Sequence, residues 1–237
     1  MKIAIIVPME IEAAYYRKAF QSETKEMFGS TAFEHFYVHG NEIYLGLSGI
    51  GKVNAAMNLT SLLTAVKVDL VFITGSAGSL QADSVQGDLI LPDVLSYHDA
   101  NNLAAGDYVL GQIPQEPVGF QLISEARAHF MTYLLSQNVA FKTGLIVTGD
   151  SFIASNQQRA EIKRHFPAAL GVEMEGAAFA QVASHFNCPL IVLRAISDNG
   201  DDTANTDFIT FVKQAGARAA RLIVNYLEGE LHDRSLS

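Results

Sequence analysis

The most constraining feature of the sequence is a set of short apolar runs rich in β-branched residues. They occupy residues 2–7, 68–74, 144–148 and 189–196. Continuous apolar runs of this length are typical of strands that are covered on both faces, as in a parallel sheet sandwiched between helices. The sequence therefore predicts a buried, largely parallel sheet.

Segments with helical periodicity lie between and after these runs. They cover residues 11–20, 53–66, 120–135, 177–186 and 208–227. This alternation predicts an α/β fold with a mixed, mostly parallel central β-sheet flanked by helices. Residues 34–38 and 42–47 flank a short turn, which adds an antiparallel hairpin. Since no linker-like composition interrupts the chain, residues 1–237 are predicted to form one domain.

Charge and cysteine content narrow the classes of partner. Sixteen Lys and Arg stand against 25 Asp and Glu, giving a formal net charge of -9. A broad basic surface for nucleic acid is thereby disfavoured. The single Cys188 cannot form an internal disulfide, and no apolar run approaches the ~20 residues of a membrane span. We therefore expect a cytoplasmic protein that binds neither nucleic acid nor a membrane.

The segments that follow the predicted strands carry most of the reactive side chains. In open α/β sheets, ligands bind beyond the carboxyl ends of the strands. Five segments at or near these ends carry carboxylates, hydroxyls and glycines, whereas Arg194 is the one cation near them. The segments are Glu10 to Glu12, Gly75 to Gly78, Gly149 to Phe152, Glu173 to Glu175, and Ser197 with Asp198. An acidic site of this kind favours a neutral or cationic ligand.

Simpler interpretations exist for each segment taken alone. The glycines at 74–78 fit a tight strand-to-helix turn, and they match neither a P-loop nor a Rossmann fingerprint. Glu173 and Glu175 precede an alanine-rich helix, whose dipole would stabilise carboxylates. Residues 197–202 fit a solvated turn; they do not match an EF-hand, and no histidine pair at metal-ligand spacing lies beside them. No metal or cofactor is therefore expected.

Taken together, eight motifs in order resemble the nucleoside phosphorylase and hydrolase superfamily, specifically the bacterial 5'-methylthioadenosine/S-adenosylhomocysteine nucleosidases. The resemblance spans nearly the whole chain. In one-letter code the motifs are PMEIE at 8–12, SGIGKVNAA at 48–56, TGSAG at 74–78, GD at 87–88, YHDA at 97–100, GDSFI at 149–153, VEMEGAA at 172–178 and RAISD at 194–198.

This resemblance implies hydrolysis of the bond between adenine N9 and ribose C1', with water as the nucleophile. Asp198 would protonate adenine N7, and Glu12 would take a proton from the attacking water. Both roles follow the acid and base logic of glycoside hydrolysis. An aspartate has a pKa of about 3.9, so an acid at neutral pH requires a site that raises it by about three units, roughly 4 kcal/mol.

The resemblance also implies the residues that bind the nucleoside. Glu175 and the Met174 backbone would hold the ribose hydroxyls, with Ser76, Arg194 and Ser197 in the polar part of the site. The adenine would stack on Phe152 and meet the backbone of Ile153. The sugar and alkylthio group would pack against Met9, Ile50 and Phe208. A homodimer is implied as well, in which loop 101–119 closes the partner's site through Leu103 or Tyr108.

Three other interpretations of the sequence stay open. A phosphorylase of the same superfamily would use phosphate instead of water, although Glu10 and Glu12 stand where phosphate would need basic donors. A sister hydrolase would act on another purine nucleoside such as futalosine. A nucleoside-binding protein without catalysis would have no need for Glu12, Glu175 and Asp198 together.

Overall fold

The computed structural model describes residues 1–20 and 24–229, and within them the chain alternates strands and helices as predicted. The strands are β1 (Lys2–Val7), β2 (Thr24–Phe28), β3 (Thr31–Val38), β4 (Asn41–Leu47), β5 (Leu70–Ser79), β6 (Leu89–Ile90), β7 (Val94–Tyr97), β8 (Phe120–Gln121), β9 (Leu145–Thr148), β10 (Ala169–Glu173) and β11 (Leu190–Asp198). The helices are α1 (Glu10–Phe20), α2 (Lys52–Ala65), α3 (Glu125–Ser136), α4 (Asn156–His165), α5 (Gly176–His185) and α6 (Ala204–Glu228).

All the strands named above belong to one mixed sheet. Its main path runs β2-β3-β4-β1-β5-β10-β9-β7-β8, with β11 joined to β5 and β6 joined to β11. The pairs β1–β4, β1–β5, β5–β11, β9–β10 and β7–β9 are parallel, whereas β5–β10 and the outer pairs are antiparallel. The predicted fold class, a mixed and mostly parallel central sheet flanked by helices, is confirmed.

Burial on both faces of the sheet explains the continuous apolar runs. In β1, Ile3 and Ile5 pack into a core shared with α1, α3 and α6, while Ala4 and Ile6 pack into a second core with α2 and α5. All four are fully buried. Each large aliphatic side chain buried in this way contributes on the order of 1.5–3 kcal/mol, so both faces of the strand select apolar residues.

Several boundaries differ from the sequence-based predictions. The glycine-rich segment 74–78 is part of β5 instead of a turn after it, and Ser197 with Asp198 end β11 instead of following it. Helix α3 begins at Glu125, because the Ser124 side chain accepts a hydrogen bond from the Arg127 backbone and caps the helix. The predicted hairpin is confirmed as β3–β4, with Gly40 at φ 76° in its turn.

Six elements were not predicted from the sequence: β2, β6, β7, β8, β10 and α4. In α4, Ile162 is the one buried residue, so the helix carries little apolar pattern. Strands β6 and β8 have only two residues each. Among the described residues, no helix is both long and apolar enough to span a lipid bilayer.

Candidate active site

A cavity of about 350 Å³ opens at the carboxyl ends of β1, β5, β10 and β11. It collects side chains from positions 8 to 208, so residues far apart in the sequence meet there. Of the twelve site residues predicted from the sequence, eleven line it: Met9, Glu12, Ile50, Ser76, Phe152, Met174, Glu175, Arg194, Ser197, Asp198 and Phe208.

Ile153 is the predicted residue that does not line this cavity. Its side chain is buried in a small separate cluster with Leu80, Val147 and Ile162. The contact predicted for Ile153 would involve its backbone, not its side chain. The neighbouring residue Phe152 does line the cavity. The role of the Ile153 backbone stays a prediction.

Glu12 lies in the first turn of α1 and is 1% exposed. Its carboxylate accepts hydrogen bonds from the Met9 N–H at 3.1 Å, the Ser76 N–H at 2.9 Å and the Ser76 hydroxyl at 3.2 Å. Burial raises the pKa of Glu12 above its usual range, while the charge of Arg194 and the hydrogen bonds from Ser76 and Met9 oppose that rise. The result is a fixed carboxylate with an increased affinity for a proton, as a general base needs.

Arg194 is the fully buried cation of the cavity. Its Nη2 donates to the carboxylate of Glu173 and, at 3.2 Å, to that of Glu175. Its Nε and Nη1 have no hydrogen-bond partner among the described residues. A buried N–H without a partner is costly, so this guanidinium is arranged to donate to something that enters the cavity.

Two glycines of β5 allow these groups to come close to the strand. A Cβ on Gly75 would overlap Arg194 Nη1 and lie 3.0 Å from Glu12 Oε1, and a Cβ on Gly78 would lie 2.9 Å from Asp198 Oδ1. Glycine within a strand often marks such a close approach. The glycines therefore bring the backbone of β5 to the polar groups of the cavity.

Glu175 stands at the N-terminus of α5, on the same side of the cavity as the turn before α2. Its Oε1 accepts a hydrogen bond from the Gly51 N–H at 3.0 Å, and it is 3% exposed. Burial raises the pKa of Glu175 to about 7; the charge of Arg194 opposes the rise, and the charge of Glu173 adds to it.

Asp198 ends β11 and is 2% exposed. Its Oδ1 accepts a hydrogen bond from the Gly200 N–H at 2.9 Å, and the Ser197 hydroxyl lies 2.8 Å from its Oδ2. The register between β11 and β5 shifts between Ile196 and Asp198. Irregularities of this kind re-aim a side chain next to a site, and here the carboxyl lines the cavity.

Glu12 and Asp198 meet β5 three residues apart, at Gly75 and Gly78. Both carboxyls also line the same cavity. Glycosidases place a pair of carboxyl groups on opposite sides of the bond that they cut, and two buried carboxyls on one cavity are the groups that such chemistry needs.

The rest of the cavity is apolar and partly open. The rings of Phe152 and Phe208 meet edge to face, with centroids 5.5 Å apart. Phe152 and Ile50 are 41% and 48% exposed, respectively. This combination suits a flat aromatic group and an apolar substituent near the opening.

Glu173 is the functional residue to which no role was assigned from the sequence. It is buried, lines the cavity and binds Arg194. Its carboxylate also accepts a hydrogen bond from the backbone N–H of Gly176 at 2.8 Å, so the sequence-based interpretation of a carboxylate at a helix N-terminus applies to Glu173. One feature of the sequence could have indicated its role: an acidic segment and a single cation, Arg194, both lie near the strand ends.

Among the described residues, no group of three or more His, Cys, Asp or Glu is arranged to hold a metal ion.

Comparison with known proteins agrees with this geometry. The family model described as phosphorylase superfamily matches residues 2–228. The chain therefore belongs to the phosphorylase superfamily.

Within it, the relatives are more specific. The 5'-methylthioadenosine/S-adenosylhomocysteine nucleosidase of Staphylococcus saprophyticus is 40% identical over 221 residues, which cover 93% of this chain and 96% of that protein. The nucleosidase of the same name from Streptococcus pneumoniae, solved with the transition-state inhibitor MT-ImmA, has a TM-score of 0.90 at 38% identity and covers 97% and 100% of the two chains. The chain is thus a member of this nucleosidase family.

A second similar structure is the futalosine hydrolase of Helicobacter pylori. It has a TM-score of 0.90 at 33% identity and covers 97% of this chain and 98% of that one. Close structural similarity within this fold therefore extends to proteins named for different nucleosides.

Proposed function

We propose that this protein hydrolyses the N-glycosidic bond of 5'-methylthioadenosine and S-adenosylhomocysteine, releasing adenine and a 5-thioribose. The observation that carries the proposal is the pair of buried carboxyls, Glu12 and Asp198, on one cavity with Arg194. Membership of the nucleosidase family supports the reaction and the substrate class.

Asp198 is the proposed general acid. Its carboxyl is buried and lines the same cavity as Phe152 and Phe208, the side chains that would hold the adenine. A proton delivered to N7 lets the base leave neutral, which lowers the barrier to breaking the bond to C1'. Ser197 holds one carboxyl oxygen and the Gly200 N–H the other, so the group is oriented before substrate arrives.

Glu12 is the proposed general base. It is fixed by donors such as the Ser76 N–H, and both its Oε1 and the unpartnered Nη1 of Arg194 lie beside Gly75. A water molecule there would donate a hydrogen bond to Glu12 and accept one from Arg194. The carboxylate would also stabilise positive charge as it develops on the sugar.

The remaining cavity residues are proposed to bind the substrate. Glu175, with the Met174 backbone, would accept hydrogen bonds from the ribose hydroxyls, and Ser76 would border the same polar part. Phe152 would stack on adenine, and the Ile153 backbone would meet the purine edge. The apolar contacts to the sugar and alkylthio group would come from Met9, Ile50 and Phe208.

The charge of the cavity favours water over phosphate as the nucleophile. Arg194 is its buried cation, and it is already paired with Glu173 and Glu175, with Glu12 close by. A phosphate dianion would meet several carboxylates with one shared arginine, although phosphate sites need basic donors in excess. The phosphorylase alternative is accordingly disfavoured.

Futalosine hydrolysis is retained as a second candidate. It is favoured by the similarity to the futalosine hydrolase of Helicobacter pylori. The two substrate classes differ in the group at C5' and in the base, so they are separated by a direct comparison of rates.

We further propose that the catalytic unit is a homodimer of a single-domain chain, residues 1–237, in which loop 101–119 closes the partner's cavity. Within the described residues, no side chain of this loop lines the chain's own cavity. Val53 on α2 is 76% exposed and lines an open groove with Phe186, while Leu103 in the loop is also exposed. Val53 lies at the start of α2, directly after the turn that contains the cavity residue Ile50. The predicted cytoplasmic location rests on the lone Cys188 and stays a prediction.

The test is to supply 5'-methylthioadenosine with and without inorganic phosphate, and to identify both products by mass spectrometry. Free methylthioribose and adenine at a rate independent of phosphate are expected. A sugar 1-phosphate would instead support the phosphorylase, and absence of adenine would contradict catalysis on this substrate. Futalosine assayed in parallel is expected to react more slowly; a faster reaction would move the assignment to the second candidate.

A further inference from the structure

Glu173 is a buried carboxylate for which the proposed reaction has no direct use. Every contact it makes is with a donor. The Glu175 N–H donates to Oε2 at 3.2 Å, the Gly176 N–H donates to both oxygens at 2.8 and 3.0 Å, and Arg194 Nη2 and the Thr148 hydroxyl complete the set. Its hydrogen-bonding capacity is therefore taken up by donors of the protein itself.

The Thr148 hydroxyl is itself held in place. It accepts a hydrogen bond from the Ala177 N–H at 2.8 Å, and so its proton is directed to Glu173. The N–H groups of Glu175, Gly176 and Ala177 lie at the start of α5, where backbone donors lack partners within the helix. Glu173 and Thr148 together satisfy these donors, which ties the helix N-terminus to the ends of β9 and β10.

The same carboxylate determines how Arg194 is turned. Glu173 and Glu175 both accept hydrogen bonds from Nη2 of Arg194. Its Nη1 and Nε have no hydrogen-bond partner among the described residues. In this orientation, Nη1 lies beside Gly75 and Glu12. Were Nη1 paired instead, the guanidinium would have no free donor toward Glu12.

We propose that Glu173 is a positioning residue, which holds Arg194 turned toward Glu12 and holds the start of α5 from which Glu175 reaches the cavity. This inference rests on the proposed function, because its readout is the rate of nucleoside hydrolysis. The two carboxylates of the acidic segment before α5 then have different roles. Glu173 accepts hydrogen bonds from the protein, and Glu175 can still accept hydrogen bonds from a substrate.

The charge of Glu173 has a second, measurable consequence. Among the described residues, the charged groups facing Glu175 are Glu173, Arg194 from β11 and Glu12 from α1, while Gly51 contributes an amide. The pKa of Glu175 is raised to about 7 mainly by burial, and the negative charge of Glu173 contributes to that rise. If ionised Glu175 binds the ribose, kcat/KM of the wild type rises with pH through about 7.

The test compares Glu173→Gln with wild type across pH ~5 to ~9, a range that brackets the raised pKa of Glu175. Glu161→Gln on the exposed face of α4 is the matched control. In Glu173→Gln, kcat is expected to fall on the order of 10- to 100-fold, because Arg194 is misplaced. The acidic limb of kcat/KM is also expected to move to lower pH, since a negative neighbour of Glu175 is gone. Glu161→Gln is expected to retain both values.

Thr148→Val and Thr148→Ser keep the proposal testable if Glu173→Gln unfolds. Valine preserves the shape and removes the hydroxyl, so kcat is expected to fall about 2- to 10-fold, the value of one hydrogen bond. The acidic limb should not move, because the charge of Glu173 remains. Serine restores the hydroxyl and should restore kcat.

Two failures are distinguishable. Absence of adenine release by the wild type would contradict the proposed function itself. An active wild type with an unchanged kcat and acidic limb in Glu173→Gln, or a uniform loss at every pH with the limb unmoved, would overturn the positioning role.

Discussion

Asp198 and Glu12 are both buried carboxyls, yet their immediate partners differ. Glu12 is surrounded by two backbone N–H groups and a hydroxyl, all able to donate to an ionised carboxylate. The contacts of Asp198 include the Gly200 N–H on Oδ1 and the Ser197 hydroxyl, which lies near Oδ2 and can accept as well as donate. Pairs of carboxyls in different environments are how one cavity can hold a base and an acid at the same pH.

The substitution Asp198→Asn tests the acid. Asparagine is isosteric, and its amide can keep the contacts with Gly200 and Ser197, but its N–H groups are not acidic enough to transfer a proton to N7. We expect adenine release to fall by about 100- to 10,000-fold, the usual contribution of general acid catalysis, while binding of 5'-methylthioadenosine persists in equilibrium dialysis. Turnover at the wild-type rate would contradict the assignment.

The substitution Glu12→Gln tests the base, with Glu10→Gln as its control. Glu10 lies two residues away, is exposed and pairs with Arg17, so the control makes the same chemical change outside the cavity. We expect kcat of Glu12→Gln to fall by about 100- to 10,000-fold, because the attacking water keeps its proton. An equal loss in both variants would point to damage to α1 instead of to catalysis.

At the scale of single residues, the sequence predicted most of the side chains that line the cavity, but it did not predict all the contacts between them. Eleven of the twelve predicted residues line the cavity, since polar side chains at strand ends converge in an α/β sheet. Glu173 received no role, because its function depends on the position of Thr148, 25 residues earlier, and of Arg194, 21 residues later. Spacing along one segment carries no such information.

Among the elements, β5 links the core to the chemistry. Its first half is apolar and buried between helices, and its second half carries the glycines against which Glu12, Arg194 and Asp198 pack. The strand continues through residues 74–78 because its neighbours β10 and β11 still pair with it there. Glycine usually indicates a turn in a sequence, so the pairing partners were needed to recognise a strand.

The substitution Gly75→Ala tests this close packing, with Gly40→Ala as its control. The added Cβ of Gly75→Ala would overlap Arg194 Nη1, and we expect kcat to fall on the order of 10- to 100-fold as the guanidinium moves. At Gly40, φ is 76° and nothing lies within 4 Å, so alanine should cost roughly 1–2 kcal/mol of stability and no activity. Urea unfolding and kcat are the two measurements, and a normal kcat in Gly75→Ala would contradict the account.

On the scale of the whole molecule, the sheet and both cores were predictable, and the assembly was not. Continuous apolar runs require cover on both faces, which the alternation with helices supplies. An exposed apolar surface such as that around Val53 has no signature in a single sequence, because helix α2 must also bury Leu59 and Leu62 on its other face. The proposed dimer therefore depends on the structure and on the resemblance to the family.

The substitution Val53→Asp tests the dimer, with Val85→Asp as its control. Val85 is also exposed, at 65%, but lies in the connection between β5 and β6. A charge at Val53 should yield a monomer in sedimentation equilibrium and raise KM roughly tenfold or more, as expected when apolar contacts to the alkylthio group are lost. A monomer with unchanged KM would contradict closure of the partner's site by loop 101–119. A variant that stays a dimer would contradict the placement of Val53 at the interface.

The central claim is that Glu12 and Asp198 act from opposite sides on one bond of a bound nucleoside. A crystal structure of the Glu12→Gln variant with 5'-methylthioadenosine measures this most directly, because the substrate should persist without its base. We predict adenine N7 within hydrogen-bond distance of the Asp198 carboxyl. We also predict a water molecule between the amide introduced at position 12 and Arg194, on the face of C1' away from the adenine. Adenine bound with N7 directed away from Asp198, or C1' shielded from position 12, would contradict the account.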